Sequence, residues 1–143
     1  MDAGSRTGRG FTIIDHPSDV GVHAWGATLS EAYEEAAAGM LSLIVDGPSV
    51  HAAEERTVTL SSADAEQLLV QWLSELLYLY DGEHFITAAA TIDRLSHTRL
   101  HATIAGERAD ARRHHWLTDI KAVTYHQLAV DETHHAVRVF FDV

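Results

Sequence analysis

The sequence contains no cysteine. Disulfides, thiolate zinc sites and cysteine nucleophiles are therefore excluded, and a reducing setting, the cytoplasm, is the expectation. Long apolar runs are missing as well. None approaches the roughly 20 residues of a membrane helix, and no charged-then-apolar leader opens the chain, so neither a membrane span nor a secretory signal is expected. Positive charge is scarce: 10 Lys and Arg stand against 21 Asp and Glu, a net charge of −11. Affinity for nucleic acid comes largely from basic groups that displace counterions. Tight autonomous binding of RNA or DNA is therefore not expected. Hard cations and basic protein partners suit such a chain better. The P-loop, G-x-S-x-G and H-E-x-x-H signatures are absent, so the ordinary marks of an enzyme are missing.

What is present describes one domain. A chain of 143 residues, 46% hydrophobic, can bury one core and is too short for two comfortable ones. MDAGSRTGRG, residues 1–10, reads as a mobile tail, with the domain over residues 11–143. GFTIID and DVGVHAWGA read as strands, the second alternating Val20, Val22 and Ala24 with Gly21, His23 and Trp25. TLSEAYEEAAAGMLSLIV reads as a helix, with Thr28 and Glu31 as a capping box. Leu29, Tyr33, Ala36, Ala37, Met40, Leu41 and Ile44 form its apolar stripe. Asp46-Gly47-Pro48 is expected to stop it through a left-handed glycine. RTVTLSS reads as a strand leading to a second helix, capped by Ser61 or Ser62 and ended by Asp81-Gly82, with Leu68, Leu69, Trp72, Leu73, Leu76 and Leu77 on its buried face. FITAAATIDRL, TRLHATIAGE, DIKAVTYHQLAVD and HAVRVFFDV complete a β-β-α-β-α-β-β-β-β order. The fold class is α+β: antiparallel or mixed sheet with two amphipathic helices packed on it.

The chemistry concentrates in DHPSDVG, residues 15–21. By itself this is a turn, because Asp, Pro and Ser favour turns for backbone reasons. It also offers oxygen ligands to a hard cation through Asp15 and Asp19, too few to complete a site alone. The chain closes on FFDV, with Asp142 next to the terminal carboxylate of Val143. If the first and last strands are sheet neighbours, these carboxylates converge, and such a cluster repels itself unless a cation or a lysine sits among them. If the two ends lie apart, both are simply solvated. In IKAVTYH, a continuous strand would put Lys121, Val123 and Tyr125 on one face and Ala122, Thr124 and His126 on the other. Lys121 is then a solvated residue or a partner for the acidic cluster, and His126 a structural histidine. GERADARRHHW reads as a polar loop holding Glu107, Asp110 and His114. The sequence has 11 histidines, but adjacent pairs such as His114–His115 and His134–His135 lack zinc spacing.

Together DHPSDVGVHAWGATLSEAYEEAA, LLVQWLSELLYLYD, GERAD, KAVTYH and the closing FFDV resemble the archease family, from Phe11 to Val143. The family more often has Thr-Ala where this chain has Pro17-Ser18. The resemblance implies a compact α+β fold. It implies a non-enzymatic activator of an RtcB-type RNA ligase, promoting the ligase's guanylylation and multiple turnover in tRNA splicing or RNA repair. It implies a divalent cation, calcium with magnesium or manganese as alternatives, held by Asp19, Asp142 and Val143. It also implies a part for Lys121 and Asp19 in activating the ligase, with Asp15, His16 and His126 as neighbours of the site. Two other functions stand as alternatives: a hard-metal enzyme acting on phosphate esters through the same carboxylates, and a chaperone-like modulator of other nucleic-acid-processing proteins, whose acidic surface needs no metal.

Overall fold

The computed structural model describes residues 8–143. Most of the tail expected at residues 1–10 lies outside the described residues. Its last residues belong to the fold: β1 (Gly10–Asp15) begins at Gly10, and the Arg9 guanidinium is held by Glu34 at 2.6 Å and Glu35 at 2.7 Å. The remaining elements are β2 (Val20–Trp25), α1 (Leu29–Ile44), β3 (Glu54–Ser61), α2 (Ala65–Glu83), β4 (Phe85–Leu95), β5 (Arg99–Arg108), β6 (Ala122–Val123), β7 (Ala129–Asp131) and β8 (Ala136–Asp142). The class is α+β, and every strand pairing is antiparallel.

Both helices start where short polar side chains take orphan backbone N–H groups. Thr28 Oγ1 accepts from Glu31 N, and the Glu31 carboxylate accepts from Ala27 N, a capping box shifted by one residue at its return bond. Asp64, not Ser61 or Ser62, caps α2, with Oδ1 accepting from Gln67 N at 2.8 Å; Ser61 is still in β3. The helix ends also differ from expectation. Gly47 takes no left-handed conformation. The last carbonyls of α1 are satisfied from outside instead, since Thr118 N donates to Leu43 O and Leu117 N to Ile44 O, both at 2.8 Å. Val45 is then free to run extended and bridge Trp116, and Gly47–Ser49 forms a 3-10 turn with Pro48 near its start. α2 continues through Asp81-Gly82 to Glu83, and His84 in the left-handed region returns its N–H to Leu79 O.

One sheet has the order β1-β2-β8-β6, with β7 also on β8; the other is β3-β5-β4. α1 packs against β2 of the first and β4 of the second. A single carboxylate ties that arrangement down: Glu34 accepts from Arg9 and, at 2.6 Å, from the backbone N–H of Ile92. The core between the layers holds the apolar stripes of both helices, with Tyr33, Met40, Leu68, Leu73 and Trp72 fully buried. The Trp72 indole donates to Tyr33 O at 3.0 Å, and Tyr33 Oη donates to Ala65 O at 2.6 Å. Each buried polar tip thus keeps a partner. Burial holds the Tyr33 phenol well above the usual tyrosine range.

DIKAVTYHQLAVD is not one strand. It pairs only at Ala122–Val123 and Ala129–Asp131, around a left-handed Gln127 (φ 51). The Arg138 guanidinium, donating to Gln127 O at 2.8 Å, pins the turn. Lys121, Tyr125 and His126 therefore lie outside strands, and the alternation of faces expected for them does not hold.

Candidate functional site

β2 and β8 are antiparallel neighbours, so the start of one lies beside the end of the other. Their register ends at Val20 opposite Phe141, and the next step puts Asp19 level with Asp142. β6 borders the same corner from the far side: Ala122 pairs with Asp142, and Lys121 N donates to Asp142 O at 2.8 Å. The sheet thus gathers Asp19, Asp142, Val143 and Lys121 at one corner. The local reason is alternation. Val20, Val22 and Ala24 face the core with Val137, Val139 and Phe141, which sets the register and with it the position of the charged ends.

Asp19 is mostly buried, its side chain 13% exposed. One of its oxygens, Oδ1, is fully buried and receives no hydrogen bond. The His16 ring Nδ1 stands 3.0 Å from that oxygen, close enough for an ion pair when protonated but not placed as a hydrogen-bond donor. A cavity of about 550 Å³ opens here, bounded by Asp15, His16, Asp19 and Val143, with Leu43 and Thr118 as its helix-side wall. Ile13 and Val143, both partly exposed, flank the opening.

The other side of the corner is built on Phe140. Its ring lies over Gly21, where a Cβ would come within 2.8 Å of two ring carbons and 3.0 Å of Val139 O. Only glycine leaves that room. His16 and His126 each meet the Phe140 ring edge-on at 5.8 Å between centroids, and the two imidazoles are 6.5 Å apart. Thr124 fixes this loop, its N–H and hydroxyl both donating to Phe140 O at 3.0 Å.

Of the residues singled out in the sequence, Asp15, His16, Asp19 and Val143 share the cavity, Asp142 and Lys121 meet at the strand end beside it, and His126 joins through Phe140. Lys121 makes no ion pair among the described residues, so its ammonium is not spent on the acidic corner. Nor do three His, Asp or Glu side chains stand close enough, among the described residues, to enclose a metal ion. The donor chemistry nonetheless fits a hard cation, because the groups are carboxylate oxygens and Asp19 Oδ1 is buried without a donor. Gly21 and Phe140 were missed in sequence reading. The available signal was a glycine on the outward face of β2, at the position between Val20 and Val22.

GERADARRHHW holds a polar cluster that the sequence did not reveal. His114 is buried at 4% exposure. Its Nδ1 accepts from Asp110 N at 2.9 Å and its Nε2 faces Glu107 Oε2 at 2.9 Å, which assigns the proton to Nε2. Glu107 also binds Arg113 and the backbone N–H of His51. These donors, Arg113 foremost, hold the Glu107 carboxyl down at about 2.

The fold agrees with what comparison finds. The model of the Archease protein family (MTH1598/TM1083) matches residues 11–143. The protein archease of Methanosarcina mazei is 35% identical over 130 residues, 88% of this chain and 89% of that one. The protein archease of Saccharolobus islandicus, strain Y.G.57.14, is 37% identical over 137 residues, 94% and 98% of the two chains. The solution structure of Methanobacterium thermoautotrophicum protein 1598 superposes with a TM-score of 0.74 at 32% identity, over 94% of this chain and 99% of that one. This chain belongs to the archease family.

Proposed function

We propose that this protein is a metal-binding cofactor that activates an RtcB-type RNA ligase, promoting guanylylation and multiple turnover in tRNA splicing or RNA repair in the cytoplasm. The observation that carries the reading is the buried Asp19 Oδ1, which receives no hydrogen bond and has the His16 ring 3.0 Å away, in a cavity shared with Val143. A buried carboxylate oxygen without a donor is costly unless a cation satisfies it. Asp19, Asp142 and the terminal carboxylate of a chain ending at Val143 would hold that ion, calcium in the first instance, with Asp15 nearby. When bound, a divalent cation supplies the charge stabilisation that phosphoryl transfer demands. The chain's own part is to present it. Phe140 and Gly21 fix the strand ends, His16 lies against Asp19, and the exposed Lys121 is available to the ligase or its nucleotide. The family membership supports this role, and no catalytic residue is assigned to the chain itself.

The test has two readouts. Calorimetry of the protein alone with Ca²⁺ or Mn²⁺ is expected to give binding that Asp19→Asn weakens by about tenfold or more. Ligation of a broken RNA at limiting ligase is expected to change from a single burst to sustained turnover with the protein, and not with Asp19→Asn. Lys121→Ala should keep the cation and lose the stimulation. Sustained turnover with folded Asp19→Asn would sink the assignment.

A further inference from the structure

Away from the acidic corner, two hairpins of different sheets meet. β4 turns into β5 through residues 96–98, and β7 into β8 through residues 132–135. His97 at the first tip places Nε2 2.6 Å from Glu132 Oε1 at the second. Among the described residues this is the one hydrogen bond or ion pair that joins strands or turns of the two sheets directly. Elsewhere α1 intervenes, as where Glu34 takes the Ile92 N–H of β4. β8 runs from this turn to Asp142, so the contact and the acidic corner stand at opposite ends of one strand. A cavity of about 440 Å³ adjoins the contact, lined by Thr28, Leu29 and Ser30 at the start of α1 and by Leu95 and Ser96 of the β4–β5 hairpin. His97 and Glu132 complete the lining, and their side chains, 66% and 56% exposed, stand on its solvent side.

The strength of this tie depends on a proton. An imidazolium and a carboxylate make a charge-assisted hydrogen bond, about twice as strong as the bond that a neutral imidazole N–H can offer. The charges that face His97 are carboxylates: Glu132 from the opposite turn and, at longer range, Glu66 from the first turn of α2. α1 adds only the uncharged Thr28, Leu29 and Ser30. In the opposite turn, His134 is taken by Asp131 at 2.8 Å. Glu132 foremost, then Glu66, hold the His97 imidazole above its ordinary 6.5, against the effect of burial. A raised imidazole gives its full contribution below 6.5 and loses it as pH rises through the raised value.

We propose that His97 and Glu132 form a pH-operated clasp between the two sheets, closed beside the cavity at the start of α1 while the imidazole is protonated and loosened once it is neutral. An exposed pair contributes little to global stability. The clasp therefore changes how often the two tips part, by a few-fold, and leaves the rest of the fold in place. It is independent of the cation reading, because neither residue belongs to the acidic corner, and its test needs no ligase.

The experiment is an NMR pH titration of the whole chain, from about pH 5.5 to about pH 9, across the range where histidines change charge. It follows the His97 ring and the protection of backbone amides from solvent exchange, corrected for the intrinsic pH dependence of exchange. The parent is compared with His97→Gln and Glu132→Gln. The His97 ring is expected to titrate above 6.5. The amides of residues 96–98 and 132–135 should lose protection together at that midpoint, by about two- to fivefold. Glu132→Gln should return the His97 midpoint toward 6.5 and remove the step. His97→Gln should leave residues 132–135, on the other sheet, at the lower protection throughout. That variant keeps His134 and His135, so a step caused by their own titration would survive in it. Unchanged protection in the core strands shows that both variants fold. A His97 midpoint at or below 6.5, two tips that change at different pH values, or a step that persists in either variant overturns the proposal.

Discussion

At the scale of single residues, the acidic corner rests on a missing side chain. Gly21 lets the Phe140 ring lie flat on β2, and that ring holds His16 and His126. Gly21→Ala must push the ring or Val139 O away, at a cost of about 1–3 kcal/mol as for overpacked cores. Urea denaturation should show it, and a stability equal to the parent would mean that Phe140 moves freely. Glu107 makes a prediction in pH. Its carboxyl sits at about 2 instead of the ordinary 4.5, chiefly through the Arg113 hydrogen bond, then those of His114 and His51 N. A depressed carboxyl stabilises the fold above its ordinary value, and that contribution is lost as pH falls from 4.5 toward 2. Glu107→Gln should therefore flatten the acid dependence of stability in that window. An identical acid profile for parent and variant would remove Glu107 from the account.

At the scale of elements, the helices are separable tests. Thr28→Ala and Asp64→Ala each remove one capping acceptor and should each cost about 1 kcal/mol, read by thermal or urea unfolding. Asp64 is the sharper case, because the sequence offered Ser61 and Ser62 in its place. If Ser62→Ala destabilises more than Asp64→Ala, the capping assignment is wrong. The apolar stripes and the alternation of β2 and β8 were legible because burial imposes a period on them. Helix ends were less so. α1 is finished by Thr118 and Leu117, about seventy residues away in sequence, and no local signal reports that. The break in DIKAVTYHQLAVD was hidden for a similar reason: its residues alternate acceptably, but Arg138 ties down a turn at Gln127. His114 was read as part of a polar loop, and its burial depends on Glu107, seven positions earlier.

At the scale of the whole molecule, the two sheets depend on one shared core. Trp72 is fully buried and donates to Tyr33 O, so it joins α2 to α1 as well as filling space. Trp72→Ala should cost about 3–5 kcal/mol, enough to threaten a fold of ordinary stability, whereas Tyr78, exposed on the same helix, should tolerate the change within about 0.5 kcal/mol. Equal losses at the two positions would mean that the core is not organised as described. The acidic corner was legible in its residues but not in its geometry. DHPSDVG and FFDV named the carboxylates, while only the pairing of β2 with β8 brings them to one place.

That pairing has a consequence for the order in which the protein is made. β8 follows every other strand in the chain, yet three of them, β2, β6 and β7, hydrogen-bond to it. While the ribosome still holds residues 136–142, β1 and β2 can form only a hairpin with one edge unpaired, and β6 and β7 have nothing to pair with. The three-stranded sheet and both helices are complete well before. Synthesis therefore passes through a half-assembled molecule with an open β2 edge, the kind of surface that attracts foreign strands. The corner that joins Asp19 to Asp142 forms only once residues 136–142 are free to pair, so any occupant of it meets chains whose β2 edge is already covered.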